Sequence, residues 1–512
     1  MARGEKLFRA TALVTVVIII SKLCGFVRDM ITAGYFGTGV ESDAYTAAYS
    51  MFYLPVLLFN SCITSTLIPM FVQTRERDGL KAASRFGSNA FNLFGILALI
   101  VAALMFALAG PINSLVYSGF SPEKLALTTK LTRIMMLSLV FNITSIIMSS
   151  LLNAQEKFIQ AQLTGFPLSF AVIIAAVLFS EKYGITALAW GVFASGILQV
   201  LVQLPFFGGW FRYTPRVDIA DPRFKRLLAL ALPAILSMAV SELNHMIDHW
   251  LASGLEDGAM AALNYGYKLI TFITGIMVVP LITIMFSRMS RLVSEGDTKG
   301  IIAVVRRCIE VLAAVLGPII VICALMNEDV IRFAYGSGQF DNASIKLTAG
   351  PFLFYVIGVL GFGIRDLLNR TFHAMQDTKT PFRVACVAVI LNIVLNFILR
   401  ELMGVNGLAL ATSMAGTSAM VIMLAMLRKR LGRLGLKATL SDAAKILVSC
   451  AVCGAVCLIM GRVIPGTTSR ILVFFRLAAV TVVSVAAYCV SLIVLRERQM
   501  KALISMAVRR GK

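Results

Sequence analysis

Charge is scarce in this chain. Asp, Glu, Lys and Arg make up 14% of its 512 residues, against about 25% in soluble domains. Hydrophobic residues make up 58%, and mean hydropathy is +0.85. The shortage excludes a soluble domain and points to a polytopic membrane protein. Also missing are a Gly-rich nucleotide loop, a His-Glu-x-x-His pattern and any Ser/His/Asp grouping, so no enzyme chemistry is expected. No small-residue cleavage site follows the basic start Arg3, Lys6 and Arg9, so the first apolar run reads as a retained helix. The nine cysteines form no disulfide framework. Cys450, Cys453 and Cys457 are spaced like metal ligands, but they lie in an apolar run without a fourth ligand and read as packing residues.

Acids are scarcer than bases, 26 against 47, and the net charge is +21. In a soluble protein that balance suggests nucleic acid; here its distribution explains it, and no nucleic acid partner is expected. Lys and Arg cluster in alternate loops: Arg75 to Arg85, Arg212 to Arg226, Arg288 to Lys299, Arg428 to Lys437 and Arg496 to Lys512. This positive-inside pattern places both termini in the cytoplasm. About fourteen apolar spans fall between residues 10 and 495, an even number that agrees with termini on one side. Gly209 to Arg226, with Trp210, Phe211, Tyr213 and its cations, reads as an interfacial segment separating two halves. Arg498 to Arg510 reads either as a basic amphipathic tail or as a solvated end.

Three short matches recur about 220 residues apart. Asp29-Met-Ile-Thr-Ala-Gly resembles Asp248-His-Trp-Leu-Ala-Ser-Gly, Leu151-Leu-Asn-Ala-Gln-Glu resembles Phe372-His-Ala-Met-Gln-Asp, and Tyr183-Gly-Ile-Thr-Ala-Leu-Ala resembles Met403-Gly-Val-Asn-Gly-Leu-Ala. A repeat with an even number of spans runs the same way through the membrane in both copies. The expected fold is therefore all-α, with about fourteen transmembrane helices. It comprises two six-helix lobes in a parallel pseudo-two-fold repeat, residues 1–220 and 221–440. Residues 441–512 hold two further helices and a basic cytoplasmic tail.

Charges inside such spans are costly and mark cavities, partners or substrates. Lys22, Arg28 and Asp29 fall in the first span around Gly25, and Lys268 lies about 14 Å into the eighth. Lys22 and Asp29 share nearly one helix face, which reads as the cationic wall of a polar cavity for an anion. Asp43 begins the second span, which Pro55 is expected to break. Lys130 and Arg133 read as snorkelling to an interface. Arg365, Asp366 and Arg370 read as an ion-pair cluster with gating as the alternative, and His245 and His249 as polar packing. Asn392, Asn396 and Thr412, with Asp248, read either as a Na⁺ or proton-linked site or as interhelical hydrogen bonds.

At these residues the chain resembles the MurJ lipid II flippase family, within the multidrug/oligosaccharidyl-lipid/polysaccharide exporter superfamily. The resemblance is carried by Ser21-Lys-Leu-Cys-Gly-Phe-Val-Arg-Asp with Ser42-Asp-Ala-Tyr, and by Leu188-Ala-Trp-Gly-Val, Gly196-Ile-Leu-Gln and Gln203-Leu-Pro. It continues through Phe372-His-Ala-Met-Gln-Asp-Thr-Lys-Thr-Pro, Leu391-Asn-Ile-Val-Leu-Asn and Gly407-Leu-Ala-Leu-Ala-Thr, and so covers essentially the whole chain. The resemblance implies two six-helix lobes, with spans thirteen and fourteen bordering a groove for a lipid tail. The family's cavity arginines map to Lys22, Arg28 and Lys268, and its acids to Asp29 and Asp43. Two of those arginines are lysines here, which keeps the charge and loses the bidentate fork. A further arginine expected just after Leu54-Pro55 is absent from Val56-Leu57-Leu58-Phe59. The family's sodium site maps to Asp248, Asn392, Asn396 and Thr412, with Asn396 in place of a carboxylate.

The resemblance implies a flippase moving undecaprenyl-diphosphate-linked peptidoglycan precursor from the inner to the outer leaflet by alternating access. The setting is the bacterial cytoplasmic membrane, with Na⁺ as a candidate coupling ion and cell-wall synthesis proteins as candidate partners. The alternatives are a flippase for another polyprenyl-diphosphate oligosaccharide, a cation-coupled drug exporter, whose cavity calls for acids rather than lysines, and a non-transporting cell-wall scaffold.

Overall fold

The computed structural model describes residues 2–432 and 435–495, and among them every regular element is helical. The basic tail expected beyond Arg496 lies outside the described residues, as does Arg433. The chain divides into two compact units, Met1–Ala261 and Ala262–Lys512.

The first unit holds α1 (Ala2–Phe36), α2 (Val40–Val116), α3 (Pro122–Met136), α4 (Leu139–Ala154), α5 (Phe158–Gln162), α6 (Gly165–Tyr183), α7 (Thr186–Gln203) and α8 (Pro222–Ser253). Its 77-residue α2 is two arms joined at Gly79, whose φ of 81° and ψ of 169° interrupt the helix. The break expected at Pro55 does not occur: the helix runs through Pro55, Pro69 and Pro111. Only a residue without Cβ adopts the Gly79 conformation at little cost, whereas one proline inside a long packed helix loses a single hydrogen bond. The cations Arg75, Arg77, Lys81 and Arg85 flank this turn, and Arg75 donates to Ala154 O and Gln155 Oε1 at the end of α4. Packed about α2 are α3, α4 and α8, which explains why α8 falls in the first unit, beyond the repeat boundary expected near residue 220.

The segment 211–218 is irregular, not helical, and is hydrogen-bonded along the second arm of α2. Asn89 Nδ2 donates to Asp218 O while Asp218 N donates to Asn89 Oδ1. Asn92 Nδ2 donates to Thr214 O and Arg216 O, and Tyr213 OH donates to Asn92 Oδ1 at 2.6 Å. A segment between helices satisfies its backbone this way without forming a helix of its own.

The second unit continues along α9 (Ala259–Ser294) into α10 (Thr298–Leu325), α11 (Asn327–Tyr335), α12 (Asn342–Ala374), α13 (Lys379–Met403), α14 (Val405–Leu431), α15 (Leu436–Val463) and α16 (Arg470–Val494). α12 and α14 pack through Gly358 and Gly361, where a Cβ would collide with Ser413 and Thr417; small residues drive such close helix contacts in lipid. The hairpin α15–α16 is fastened to the rest of the unit. Cys453 and Cys457 are buried with Ile322, Val480, Tyr488 and Leu492, Tyr488 OH donates to Ala314 O, and Arg476 Nη1 pairs with Asp329 Oδ2 at 2.6 Å.

Ten described helices are long and apolar enough to cross a membrane, or eleven when the bent pair Pro122–Met136 and Leu139–Ala154 is one span. One of the ten is the two-armed α2, and α1 and α8 also have the length, which is compatible with fourteen spans. Leu178 and Phe475 are more than 60% exposed; a bilayer solvates such side chains and water does not.

The repeat is visible in turn chemistry. Ser121 caps α3 by accepting from Lys124 N, and 220 positions on Asp341 caps α12 by accepting from Ser344 N. Glu156 and Gln376, the same distance apart, are the two non-glycine residues with positive φ among those described. Gly184 and Gly404 end α6 and α13 at φ 55° and 58°. Tyr117 OH donates to Ala47 O in the first unit, and Tyr335 OH to Tyr265 O in the second.

Candidate functional site

In the first unit, Arg28 and Asp29 form the ion pair that their adjacency permits. Arg28 Nη2 lies 2.9 Å and Nε 3.2 Å from Asp29 Oδ1, and both side chains are mostly buried. The Nη1 group of Arg28 makes no hydrogen bond among the described residues, which leaves that edge of the guanidinium for another acceptor. Tyr45 and Tyr49 of α2 stand within electrostatic reach of Arg28. They belong to a ladder of Tyr45, Tyr49 and Tyr53, whose rings stack at 6.1 and 5.9 Å on successive turns of α2. Tyr49 and Tyr53, with Asn60, Asn142 and Gln199, line a cavity of about 210 Å³ inside the unit. Lys22 lies on the exposed side of α1, whereas the close contact of α1 with α6 is at Ser21 and Gly165.

Asp43 is built into a different arrangement. It starts α2 and is 1% exposed. Its Oδ2 accepts from Lys124 Nζ at 2.6 Å and from Gly258 N at 2.8 Å, and its Oδ1 accepts from Ala261 N at 2.7 Å. The carboxylate therefore caps the first turn of α9 in trans, where helix N–H groups lack internal partners. Lys124 also reaches Asp257 Oδ1 at 3.0 Å and sits 4.3 Å from the centroid of Phe120. Ser50 Oγ and His249 Nδ1 are 3.1 Å apart, joining α2 to α8, and Asp248 is buried.

In the second unit, Lys268 is half-buried with its ammonium 5.7 Å from the centroid of Tyr265. Asn392, Asn396 and Thr412 come together across α13 and α14. Asn396 Nδ2 donates to Asn392 Oδ1 at 2.8 Å, and Asn392 Nδ2 donates to Thr412 Oγ1 at 3.3 Å. For a sodium ion this is a partial fit. Three side-chain oxygens are clustered and neutral, but Asn392 Oδ1 and Thr412 Oγ1 already accept amide donors. Arg365 pairs with Asp366 at 3.1 Å, and the Arg370 guanidinium lies over the Phe286 ring. Asp377 accepts from Thr380 N and Thr380 Oγ1 at the start of α13 and from Arg430 Nη1 at 2.6 Å. The Thr380 N–H first, then its hydroxyl and the Arg430 guanidinium, hold the Asp377 carboxyl below its ordinary range.

Sequence reasoning missed Lys124 and the tyrosine ladder. Lys124 stands two residues after Pro122, where a helix start in a loop is the natural reading, and nothing local reveals its buried acid partner. The ladder had a signal, Tyr at every fourth position from Tyr45 to Tyr53, which a helix places on one face.

The profile of the family described as lipid II flippase MurJ matches residues 32–479. A probable lipid II flippase MurJ of Rhizobium tropici is 30% identical over 451 residues, covering 85% of this chain and 84% of the relative. The lipid II flippase MurJ of Burkholderia cenocepacia is 26% identical over 437 residues, 83% of this chain and 84% of its own. Among solved structures, a lipid II flippase MurJ in an inward closed conformation superimposes with a TM-score of 0.79 at 24% identity, over 94% of this chain and all of that one. An inward-facing multidrug resistance MATE transporter of the MOP superfamily shares the fold at a TM-score of 0.70 and 13% identity, over 83% of this chain and 99% of its own. With the profile match spanning most of the chain, this polytopic membrane protein belongs to the lipid II flippase MurJ family.

Proposed function

We propose that this protein translocates lipid II, the undecaprenyl-diphosphate-linked peptidoglycan precursor, from the inner to the outer leaflet of the bacterial cytoplasmic membrane by alternating access. Family membership supports the substrate. The observation that carries the chemistry is Arg28: a mostly buried guanidinium on an apolar helix, held by Asp29 on its Nε and Nη2 side, with its Nη1 side uncommitted. A diphosphate offers oxygens that accept charge-assisted hydrogen bonds from such a group. By the family mapping, Lys22 and Lys268 add point charges for the diphosphate, and Asp29 fixes the fork of Arg28. Asp43 acts through Lys124 and the first turn of α9 in the state described here.

The clustering of cations around the Gly79 turn of α2 supports cytoplasmic termini, by the positive-inside rule. Coupling to Na⁺ through Asp248, Asn392, Asn396 and Thr412 rests on the family resemblance and on the contact among the last three. A bound ion supplies positive charge that biases one access state over the other. Docking of cell-wall synthesis proteins belongs to the same reading and rests on the substrate alone.

The test is depletion of the protein in its own cells, followed by an assay of which leaflet holds lipid II. Accumulation inside with loss outside is the expected result. Unchanged sidedness with loss of another surface glycan assigns a different polyprenyl-diphosphate substrate and overturns the reading.

A further inference from the structure

The first unit carries a groove of about 680 Å³ between the second arm of α2, α3 and α7. Its walls are apolar, with Phe106, Leu137 and Trp190 each more than 40% exposed. Two cations of α3, Lys130 and Arg133, line it, and no acid does. One turn apart, they project from the same helix face. Arg133 Nε donates to Phe106 O at 3.3 Å, and its guanidinium lies 5.7 Å from the Phe106 ring centroid. Lys130 has no hydrogen bond or ion pair among the described residues. It stands eight residues into α3, about 12 Å along the helix axis, in a span that bends by 42° where Leu137 enters the groove. Snorkelling alone does not account for the apolar walls beside the two cations. A cation exposed among apolar walls in lipid is costly unless an anion comes to it.

We propose that this groove binds one anionic phospholipid of the bilayer, its phosphate against Lys130 and Arg133 and its upper acyl chain over Phe106, Leu137 and Trp190. Charge complementarity selects the phosphate, and the apolar walls select a chain attached to it. The groove is open along the unit's surface, and its two cations beside apolar walls match a phosphodiester headgroup carrying an acyl chain. The occupant assigned to it is bulk phospholipid, not the transported substrate.

The test uses the full-length protein with Trp210→Phe and Trp250→Phe, which leaves Trp190 as the single tryptophan. It is reconstituted in phosphatidylcholine vesicles containing brominated phosphatidylglycerol or, at equal mole fraction, brominated phosphatidylcholine. Phosphatidylglycerol is expected to quench Trp190 at lower mole fraction, by about five-fold for each cation. The excess is lost in Lys130→Gln/Arg133→Gln and retained in Lys130→Arg. Should the double variant not fold, salt added to the parent protein serves instead, since the excess must fall as charge pairing is screened. Equal quenching by the two lipids, or an excess that survives both neutralisation and salt, overturns the proposal. Displacement by inorganic phosphate alone reassigns the groove to free anions, and displacement by a polyprenyl diphosphate reassigns it to the substrate's route; either result overturns the phospholipid assignment.

Discussion

Lys124 Nζ stands 2.6 Å from Asp43 Oδ2, with both side chains no more than 3% exposed. Two charges taken out of water repay their desolvation only when geometry and further hydrogen bonds are good. Here the second oxygen of Asp43 and a further lone pair are met by Ala261 N and Gly258 N, and Lys124 has Asp257 as a second acceptor. The consequence is asymmetric. Removing one partner leaves the other charge buried and alone, at a cost of about 3–5 kcal/mol. Lys124→Met is expected to lower the thermal unfolding midpoint of the purified protein sharply. Asp43→Asn with Lys124→Met should recover part of the loss, because no lone charge remains. Midpoints equal to wild type in the single variant would remove Lys124 from this role. Asp257 is 65% exposed, and Asp257→Asn should cost less than about 1 kcal/mol.

Arg28 is expected to be indispensable to transport and dispensable to folding. Arg28→Ala leaves the mostly buried Asp29 without its cation, a loss of stability the variant should survive. It should still be inserted and monodisperse on size-exclusion chromatography while failing to support growth after depletion of the wild type. Arg28→Lys keeps the charge, loses the fork and should support growth partially. Full growth of the Ala variant would take the diphosphate contact away from this residue.

Asn392 hydrogen-bonds both Asn396 and Thr412, and bonds of this kind between membrane helices average about 0.6 kcal/mol and reach about 1.7. Asn392→Leu should therefore shift the unfolding midpoint modestly. If the cluster holds Na⁺, the wild type should also unfold at a higher temperature in sodium than in choline chloride, and the variant should lose that difference. A sodium effect of the same size in both would place the ion elsewhere.

Much of the fold is legible because its signals are local. The positive-inside clusters and the spans depend on residues near one another in sequence, the 220-residue repeat shows as short matched segments, and it reappears as matched caps at Ser121 and Asp341. The break in α2 falls at Gly79 and not at Pro55, although proline is the louder signal, because a glycine in an Arg-Asp-Gly-Leu-Lys context is the better turn former. The pairing of Arg28 with Asp29 is readable from adjacency. The union of Asp43 with Lys124 is not, since 81 positions separate them and no periodicity carries that information. Composition marks the segment 211–218 as a connector between helices, but its anchoring to Asn89 and Asn92 depends on a tertiary contact.

Gly184 and Gly404 test the repeat energetically. Each closes a helix at φ near 55–58° with ψ of −148° and −133°, a region that side chains other than glycine enter at a cost of about 1–3 kcal/mol. No neighbouring atom other than the Glu41 carboxylate, 3.5 Å from a Cβ at Gly184, approaches either position, so the penalty comes from the backbone. Gly184→Ala and Gly404→Ala should destabilise by similar amounts, and the effects should add, because the two residues belong to different compact units. A large difference between them would show that the two turns are not equivalent.

The last expectation concerns pH. Asp377 closes the turn between α12 and α13, with its carboxyl held below the ordinary value by the Thr380 N–H, the Thr380 hydroxyl and Arg430. A carboxylate whose folded pKa lies below its unfolded value, about 3.9 for Asp, stabilises the fold fully at pH values well above 3.9. It loses that contribution as pH falls from there through the folded pKa. The acid limb of the wild-type unfolding curve should therefore contain a component that Asp377→Asn lacks. At neutral pH the variant should be less stable, by no more than about 1 kcal/mol from the ion pair itself, because Arg430 is half exposed. As pH falls, the two proteins should converge, since a protonated Asp377 and the amide of the Asp377→Asn variant are both uncharged toward Arg430. Parallel curves across the acid limb would mean that Thr380 and Arg430 do not hold Asp377 ionised in the folded protein.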